Sequence, residues 1–123
     1  MIQKYNKDLD YSYTEGFFPT FEMIQHKREC LKIVYVSSDS VNSEGYEKLK
    51  EILRPDQLII SDKVFNKIAS KENAHAIGVF EKFTSELDQR NNHLVMVNPS
   101  DMGNLGNAMR TLLAFGYHDL ALI

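Results

Sequence analysis

Residues 93–123 contain a change of hydrophobic period that constrains the fold more than any other part of the sequence. Leu94 to Val97 is a continuous apolar run of strand length, which is typical of a strand buried on both faces. A polar loop over 98–101 follows, and then apolar residues recur at helical spacing, at Leu105, Ala108, Met109, Leu112 and Phe115. Gly116 is placed to end this helix in a left-handed conformation, and Leu120 to Ile123 is a second apolar run. The pattern predicts a strand, a helix and a second strand that pairs in parallel with the first.

Both predicted strands have the composition of strands covered on both faces. Two parallel strands and one helix cannot cover that much apolar surface by themselves. We therefore expect residues 93–123 to self-associate, to swap between copies or to dock onto the N-terminal part of the chain, and we expect a homo-oligomer.

The preceding residues, 11–82, alternate between strand and helix patterns, which predicts a layered α/β sandwich. The predicted strands are 11–15, 31–37, 57–61 and 75–80. One helix is expected to begin at Pro19, a second to span 44–53 after a Ser43 cap, and a third to span 63–69 after an Asp62 cap. Residues 84–92 are polar and charged and suit a linker. The predicted fold class is therefore α/β, with a domain over 1–83, a linker over 84–92 and a strand–helix–strand unit over 93–123.

Composition describes an ordinary globular protein and does not by itself point to nucleic acid. The chain has 123 residues, a net charge of −3 and 43% hydrophobic residues. Its single cysteine, Cys30, suits a reducing cytoplasm, and no apolar run approaches the length of a membrane span. The basic residues form two clusters, for which solvated helix faces are the favoured interpretation: Lys27, Arg28 and Lys32, and Lys48, Lys50 and Arg54.

The loop and helix of the C-terminal unit resemble a known motif. Asn104-Leu105-Gly106, then Arg110-Thr111, then Ala114-Phe115-Gly116 is similar in residues and spacing to the first motif of the SpoU–TrmH (SPOUT) RNA ribose 2′-O-methyltransferases. Met102 is a departure, because a proline often stands there in the family. Two later family motifs, which build the S-adenosylmethionine pocket through a trefoil knot, are absent from the 123 residues.

The resemblance implies that the chain is the front portion of such an enzyme, with the α/β knot itself missing. The complete protein would then be a cytoplasmic dimer that transfers methyl from S-adenosylmethionine to a ribose of rRNA or tRNA. We expect this chain alone to be inactive and to hold no cofactor. Within the 1–83 domain, residues 11–82 are similar, less specifically, to the small ribosomal-protein-like domain that binds RNA in many of these enzymes. The matching stretches are Glu15-Gly16, Ile33 to Val36, Ile59 to Phe65 and His75 to Val79, with His75 itself a departure from that pattern.

The motif region and the first basic cluster contain the candidate site residues. Arg110 and Asn104 are the candidate catalytic residues, and the candidate substrate-binding residues are Gly103, Gly106, Lys27 and Arg28. A guanidinium is a permanent cation and a poor base, so Arg110 is expected to stabilise negative charge on the ribose oxygen rather than to remove its proton. Asn104 has a second interpretation as a plain helix cap, and the two glycines would let backbone approach the ligand closely.

Other functional interpretations are weaker. The histidines, His26, His75, His93 and His118, lack metal-ligand spacing. The aromatic residues between Tyr11 and Phe21 suit core packing better than base stacking. The alternative to an enzyme portion is a stand-alone RNA-binding module whose tail is a remnant of a methyltransferase.

Overall fold

The computed structural model describes all residues, 1–123, and divides the chain into two compact units, Met1–Phe83 and Thr84–Ile123. The chain is mixed α/β with four α-helices, as the alternation of hydrophobic periods predicts. No helix combines the length and the apolar character that crossing a membrane would require.

The first unit is a four-stranded mixed sheet with helices between its strands. The strands are β1 (Tyr11–Glu15), β2 (Leu31–Val36), β3 (Leu58–Ile60) and β4 (Ala76–Glu81), in the spatial order β1-β4-β2-β3. The helices are α1 (Phe17–Lys27), α2 (Glu44–Ile52) and α3 (Asp62–Ile68). β2 pairs in parallel with β3 and antiparallel with β4, while β4 pairs antiparallel with β1. All four strands that the sequence predicts in this unit are confirmed.

The core of this unit lies on both faces of the sheet because side chains alternate along each strand. On one face, Val34 and Val36 of β2 are fully buried with Leu49 of α2, alongside Ile24 and Leu31. On the other face, residues from β1, β2, β4 and α3 form a second cluster around Ile68, Ile77 and Val79. Of the aromatic residues expected in the core, Phe18 is the exception, with 74% of its surface exposed.

Two helix starts in the first unit differ from the sequence prediction. α1 begins at Phe17, two residues before Pro19, after Gly16 at a φ of 109°. A proline is tolerated there because the N–H groups of a first helical turn have no partner within the helix. Asp62 does not cap α3 but is its first residue, and its carboxylate accepts a hydrogen bond from the backbone N–H of Ser38 at 2.8 Å. The Ser43 cap of α2 is confirmed, with its hydroxyl 3.2 Å from the Tyr46 nitrogen.

The second unit consists of β5 (His93–Met96), α4 (Met102–Ala114) and β6 (Asp119–Leu122). The strands pair in parallel, with Leu94 opposite Leu120, as predicted. Gly116 has a φ of 79°, so the predicted left-handed helix end is also confirmed. No residue of 84–123 is buried, although the apolar runs are typical of strands covered on both faces. Val95 remains 51% exposed and Ile123 76% exposed.

Replacing Gly45 of α2 with alanine tests the contact between α2 and α1. An alanine normally stabilises a helix relative to glycine by about 0.5–1 kcal/mol. At this site the added Cβ would lie 2.7 Å from a ring carbon of Phe17. We expect Gly45→Ala instead to lower the free energy of unfolding by about 1–3 kcal/mol, measured by urea denaturation, since overpacking forces neighbours to move. The loss should shrink in a Phe17→Leu background, and a stabilising Gly45→Ala in the natural background would contradict this packing.

Candidate functional site

The start of α4 is held by an aspartate rather than by the asparagine of the motif. The Asp101 carboxylate accepts a hydrogen bond from the backbone N–H of Asn104 at 2.7 Å, and Asp101 is the N-cap residue. Asn104 therefore lies inside the first turn, and its interpretation as the helix cap is wrong. The cap falls on Asp101 because α4 begins at Met102, so the N–H of Asn104 is an unpaired donor of the first turn and lies three residues after the Asp101 carboxylate.

Three of the candidate residues share one face of α4. Gly103, Gly106 and Arg110 follow one another at intervals of three and four residues, which places them one above the other on a helix. Asn104 lies about 120° around the helix from Arg110, given about 100° per residue. The structure thus brings the two glycines and the arginine together and leaves Asn104 apart from them.

The two glycines differ in what surrounds them. A Cβ at Gly103 would lie 3.1 Å from the Asp101 carboxylate, so a larger residue would crowd the cap. A Cβ at Gly106 would meet nothing within 4 Å. Neither glycine has a positive φ, so the backbone conformation of α4 does not require glycine at either position. Glycine within a helix lowers the stability of the helix by about 1 kcal/mol relative to alanine. At Gly106 no contact in the fold explains why glycine is present.

Arg110 is exposed, and none of the ion pairs in the molecule includes it. Its Nη1 donates one hydrogen bond to the side-chain oxygen of Asn107 at 3.3 Å. The side chain also lines a mainly apolar cavity of about 300 Å³, whose other lining residues are Met109, Leu112, Leu113, Tyr117, His118 and Leu120. A guanidinium with most of its donors unused, beside an apolar hollow without a carboxylate, suits a ligand that carries negative charge.

Tyr117 and His118 are cavity residues that sequence reasoning missed as part of the site. They follow the glycine that ends α4, and the reversal of the chain there returns them to the helix face of Arg110. The only sequence signal for their position was the predicted left-handed Gly116, which sets the direction of the turn.

The N-terminal candidates lie in the first unit, at the end of α1. Lys27 Nζ lies 4.8 Å from the centre of the Phe83 ring and 4.0 Å from a carboxylate oxygen of Glu29. Arg28 donates from Nη2 to the backbone carbonyl of Ile52, which ends α2. These contacts partly occupy both side chains, and they place Arg28 next to the second basic cluster of the sequence.

A hydroxyl–carboxylate–imidazole cluster follows β2 in the first unit. Ser37 Oγ lies 2.5 Å from Asp39 Oδ1 and 3.3 Å from His75 Nδ1, and that nitrogen lies 3.4 Å from the same Asp39 oxygen. The hydrogen bond from Ser37, with smaller contributions from Ser40 and His75, holds the pKa of Asp39 below its ordinary value. A catalytic triad needs the nucleophile and the carboxylate on different ring nitrogens, whereas here both lie at Nδ1. The cluster therefore lacks the geometry of a triad, and its contacts link the end of β2 to the residue before β4.

Asp119 ties the segment before β5 to the start of β6. Its carboxylate accepts hydrogen bonds from the Asp88 backbone N–H at 3.0 Å and from the Asn91 side chain at 3.1 Å. These two bonds, the Asp88 one first, hold the pKa of Asp119 below its ordinary value. Residues 84–92 contain no helix or strand and belong to the second compact unit, and their role as a linker stays a prediction.

No cluster of three or more histidine, cysteine, aspartate or glutamate side chains is arranged to hold a metal ion. Comparisons of the chain with protein-family models, with curated proteins and with solved structures find no match. The methyltransferase resemblance therefore rests on the motif residues of the sequence.

Substitutions at Asp101 and Asn104 test which residue caps α4. We expect Asp101→Ala to weaken the helix by about 0.5–2 kcal/mol, because the N–H of Asn104 loses its acceptor. Faster amide hydrogen exchange over 104–106 would report this loss, and Asp101→Ser should restore most of the protection. Asn104→Ala should leave exchange nearly unchanged. Equal losses from Asp101→Ala and Asn104→Ala would refute the assignment of the cap.

Proposed function

We propose that this chain is a portion of an RNA ribose 2′-O-methyltransferase of the SpoU–TrmH (SPOUT) type, with Arg110 at the target nucleotide. The observation that carries the proposal is the position of Arg110. The residue has no carboxylate partner, lines a cavity and shares a helix face with Gly103 and with Gly106 of the motif. The first β-α-β unit of a SPOUT domain, residues 93–123, would present this face to RNA.

The role proposed for Arg110 is electrostatic. A ribose 2′-hydroxyl is a weak nucleophile and must develop negative charge on oxygen before it can attack a methyl group. A guanidinium can contact a neighbouring phosphate with two N–H groups and stabilise that charge, while its high pKa makes it a poor proton acceptor. In this proposal Arg110 binds and orients the nucleotide and does not remove the hydroxyl proton.

Gly106 provides a second argument that the Arg110 face of α4 contacts RNA. It lies one turn before Arg110, and a side chain there would extend into open space. The backbone conformation of α4 does not require glycine at this position. The glycine is explained if the backbone of a ligand lies against the helix there, where a side chain would block it. Gly103 has a different explanation, because its lack of a Cβ leaves room for the capping carboxylate of Asp101.

S-adenosylmethionine is the methyl donor that the resemblance implies for the complete enzyme. The cavity beside Arg110 has a cationic and apolar lining with no carboxylate to receive a sulfonium ion or the hydroxyls of the cofactor ribose. The residues present do not fit that cofactor, so we assign none of them to it. The contribution proposed for this chain is recognition of RNA and stabilisation of its reacting oxygen.

The second candidate function is that of an RNA-binding module without methyl transfer. One observation favours it, namely that every buried residue of the chain lies in the first unit, which has its own core. Binding would then depend on the first unit, and Arg110 would be a solvent-facing charge on the second.

The enzyme proposal predicts that Arg110 recognises the ribose hydroxyl. We expect Arg110→Ala to weaken binding of a mixed-sequence RNA 20-mer by at least about tenfold, because hydrogen bonds to charged groups contribute about 1.5–3 kcal/mol. The variant should also lose the preference of the natural chain for RNA over a DNA 20-mer of the same mixed sequence, since the 2′-hydroxyl distinguishes RNA from DNA. Gly106→Val should weaken RNA binding similarly by blocking close approach. Fluorescence anisotropy measures all of these affinities.

Arg90→Ala is the matched control, because Arg90 is in the same unit but is paired with Asp88 at 2.9 Å. Its RNA affinity should stay within about twofold of the natural chain, as expected for an exposed ion pair of small energetic value. If the natural chain binds RNA and Arg110→Ala has the same RNA affinity as Arg90→Ala, the enzyme proposal is refuted. The RNA-binding module is then the function that remains.

A further inference from the structure

A second cavity lies in the first unit, between the end of α2 and the start of β3. Its volume is about 330 Å³, and its lining residues are Tyr46, Lys50, Leu53, Arg54, Pro55 and Leu58. They comprise two cations, one aromatic ring and three apolar side chains, and none is a carboxylate. The size lies at the lower end of the range for small-molecule sites, about 300–1,000 Å³.

The fold brings together cations that are far apart in the sequence at this end of the unit. Arg28, from the end of α1, donates to the carbonyl of Ile52. Ile52 lies two residues from Lys50 and two from Arg54, and both of these residues line the cavity. Arg28 is thus brought to the end of α2, next to the basic cluster over 48–54, although the sequence pattern of each cluster indicates a separate solvated helix face.

The carboxylate partners of the cations that line the cavity are exposed. Lys50 Nζ lies 2.9 Å from Glu47, and Arg54 Nε lies 3.1 Å from Asp56. Both pairs are largely solvent-exposed, and ion pairs of this kind contribute little to stability. A phosphate could therefore replace Glu47 and Asp56 as the partner of these cations without disturbing the fold.

The aromatic ring and the nearer cation are neighbours. Lys50 Nζ lies 5.1 Å from the centre of the Tyr46 ring, and Leu53 and Leu58 complete the apolar part of the lining. A ligand that fits this arrangement has a flat apolar part and a negative group close to it. A nucleotide has both parts, and single-stranded RNA binders combine aromatic stacking with cationic contacts to the backbone in the same way.

We infer that this cavity binds one nucleotide of single-stranded RNA, with the base against Tyr46 and the phosphate on Lys50 and Arg54. The identity of the ligand as RNA rests on the proposed function, whereas the cavity lies wholly within the first unit. The RNA would then have a holding site in the first unit in addition to the Arg110 site in the second.

The charge part of the inference is tested by the Lys50→Gln/Arg54→Gln double variant. Fluorescence anisotropy with a labelled mixed-sequence RNA 12-mer is measured from 50 to 300 mM NaCl. We expect about tenfold weaker binding at 100 mM salt, and a salt slope smaller by about 0.7, the value for the loss of one phosphate contact to a single strand. Lys48→Gln is the matched control. Lys48 lies two residues from Lys50 on α2, is paired with Glu44 at 2.9 Å and does not line the cavity.

The stacking part is tested by Tyr46→Leu, which should weaken binding at least about fivefold at an unchanged salt slope, because base stacking is not ionic. Tyr46→Phe keeps the ring and should retain the affinity, and circular dichroism checks that each variant is folded. The inference is overturned if the Lys50/Arg54 variant loses no more affinity than Lys48→Gln, or if Tyr46→Leu binds like the natural chain. It is also overturned if a 12-residue polyglutamate competes as well as unlabelled RNA.

Arg110→Ala, measured in parallel, separates this inference from the proposed function. Loss of affinity in Arg110→Ala alone overturns the inference and supports the Arg110 site. Loss in the Lys50/Arg54 and Tyr46→Leu variants alone supports the inference and favours the RNA-binding module. A natural chain that binds no RNA at 50 mM NaCl overturns both.

Discussion

The structure of the first unit depends on the burial of β2 on both faces. β2 lies between β3 and β4, so its alternate side chains must be covered from two sides. Val34 and Val36 are fully buried on the side of α1 and α2, while Ile33 and Tyr35 pack in the cluster on the opposite side. Because α1 and α2 pack on the same side of β2, Arg28 just after α1 reaches the carbonyl of Ile52 at the end of α2. The position of Arg28 beside the second basic cluster is a consequence of that packing.

The second unit lacks this coverage on two sides. β5 and β6 pair in parallel and α4 connects them, yet no residue of 84–123 is buried. Parallel strands are normally covered on both faces, so the exposed side chains of Val95, Leu122 and Ile123 form an apolar surface with high free energy. The candidate site of this unit is correspondingly simple. It consists of a capped helix, a stripe with two glycines and an arginine whose donors are mostly unused.

The two cationic sites have different relations to their surroundings. Arg110 has no acidic partner, so a negatively charged ligand would meet its full charge. Lys50 and Arg54 lie beside Glu47 and Asp56, so a ligand there must compete with those carboxylates. The net charge of −3 gives the chain little non-specific attraction for RNA. RNA recognition by such a chain would depend on a few well-placed contacts.

The sequence by itself determined the helices and strands, because these depend on interactions between residues close together in the chain. Examples are the parallel β5–β6 pair, the Ser43 cap and the left-handed Gly116. Hydrophobic period, cap chemistry and glycine freedom act over a few residues, and they can be read without knowing the fold. Only the tertiary structure decided the strand order, the meeting of Arg28 with α2 and the return of His118 to the Arg110 cavity. Those depend on contacts between distant residues. The cap of α4 lay between the two cases, because Asp101 and Asn104 are both good caps and only the position of the first turn selects one.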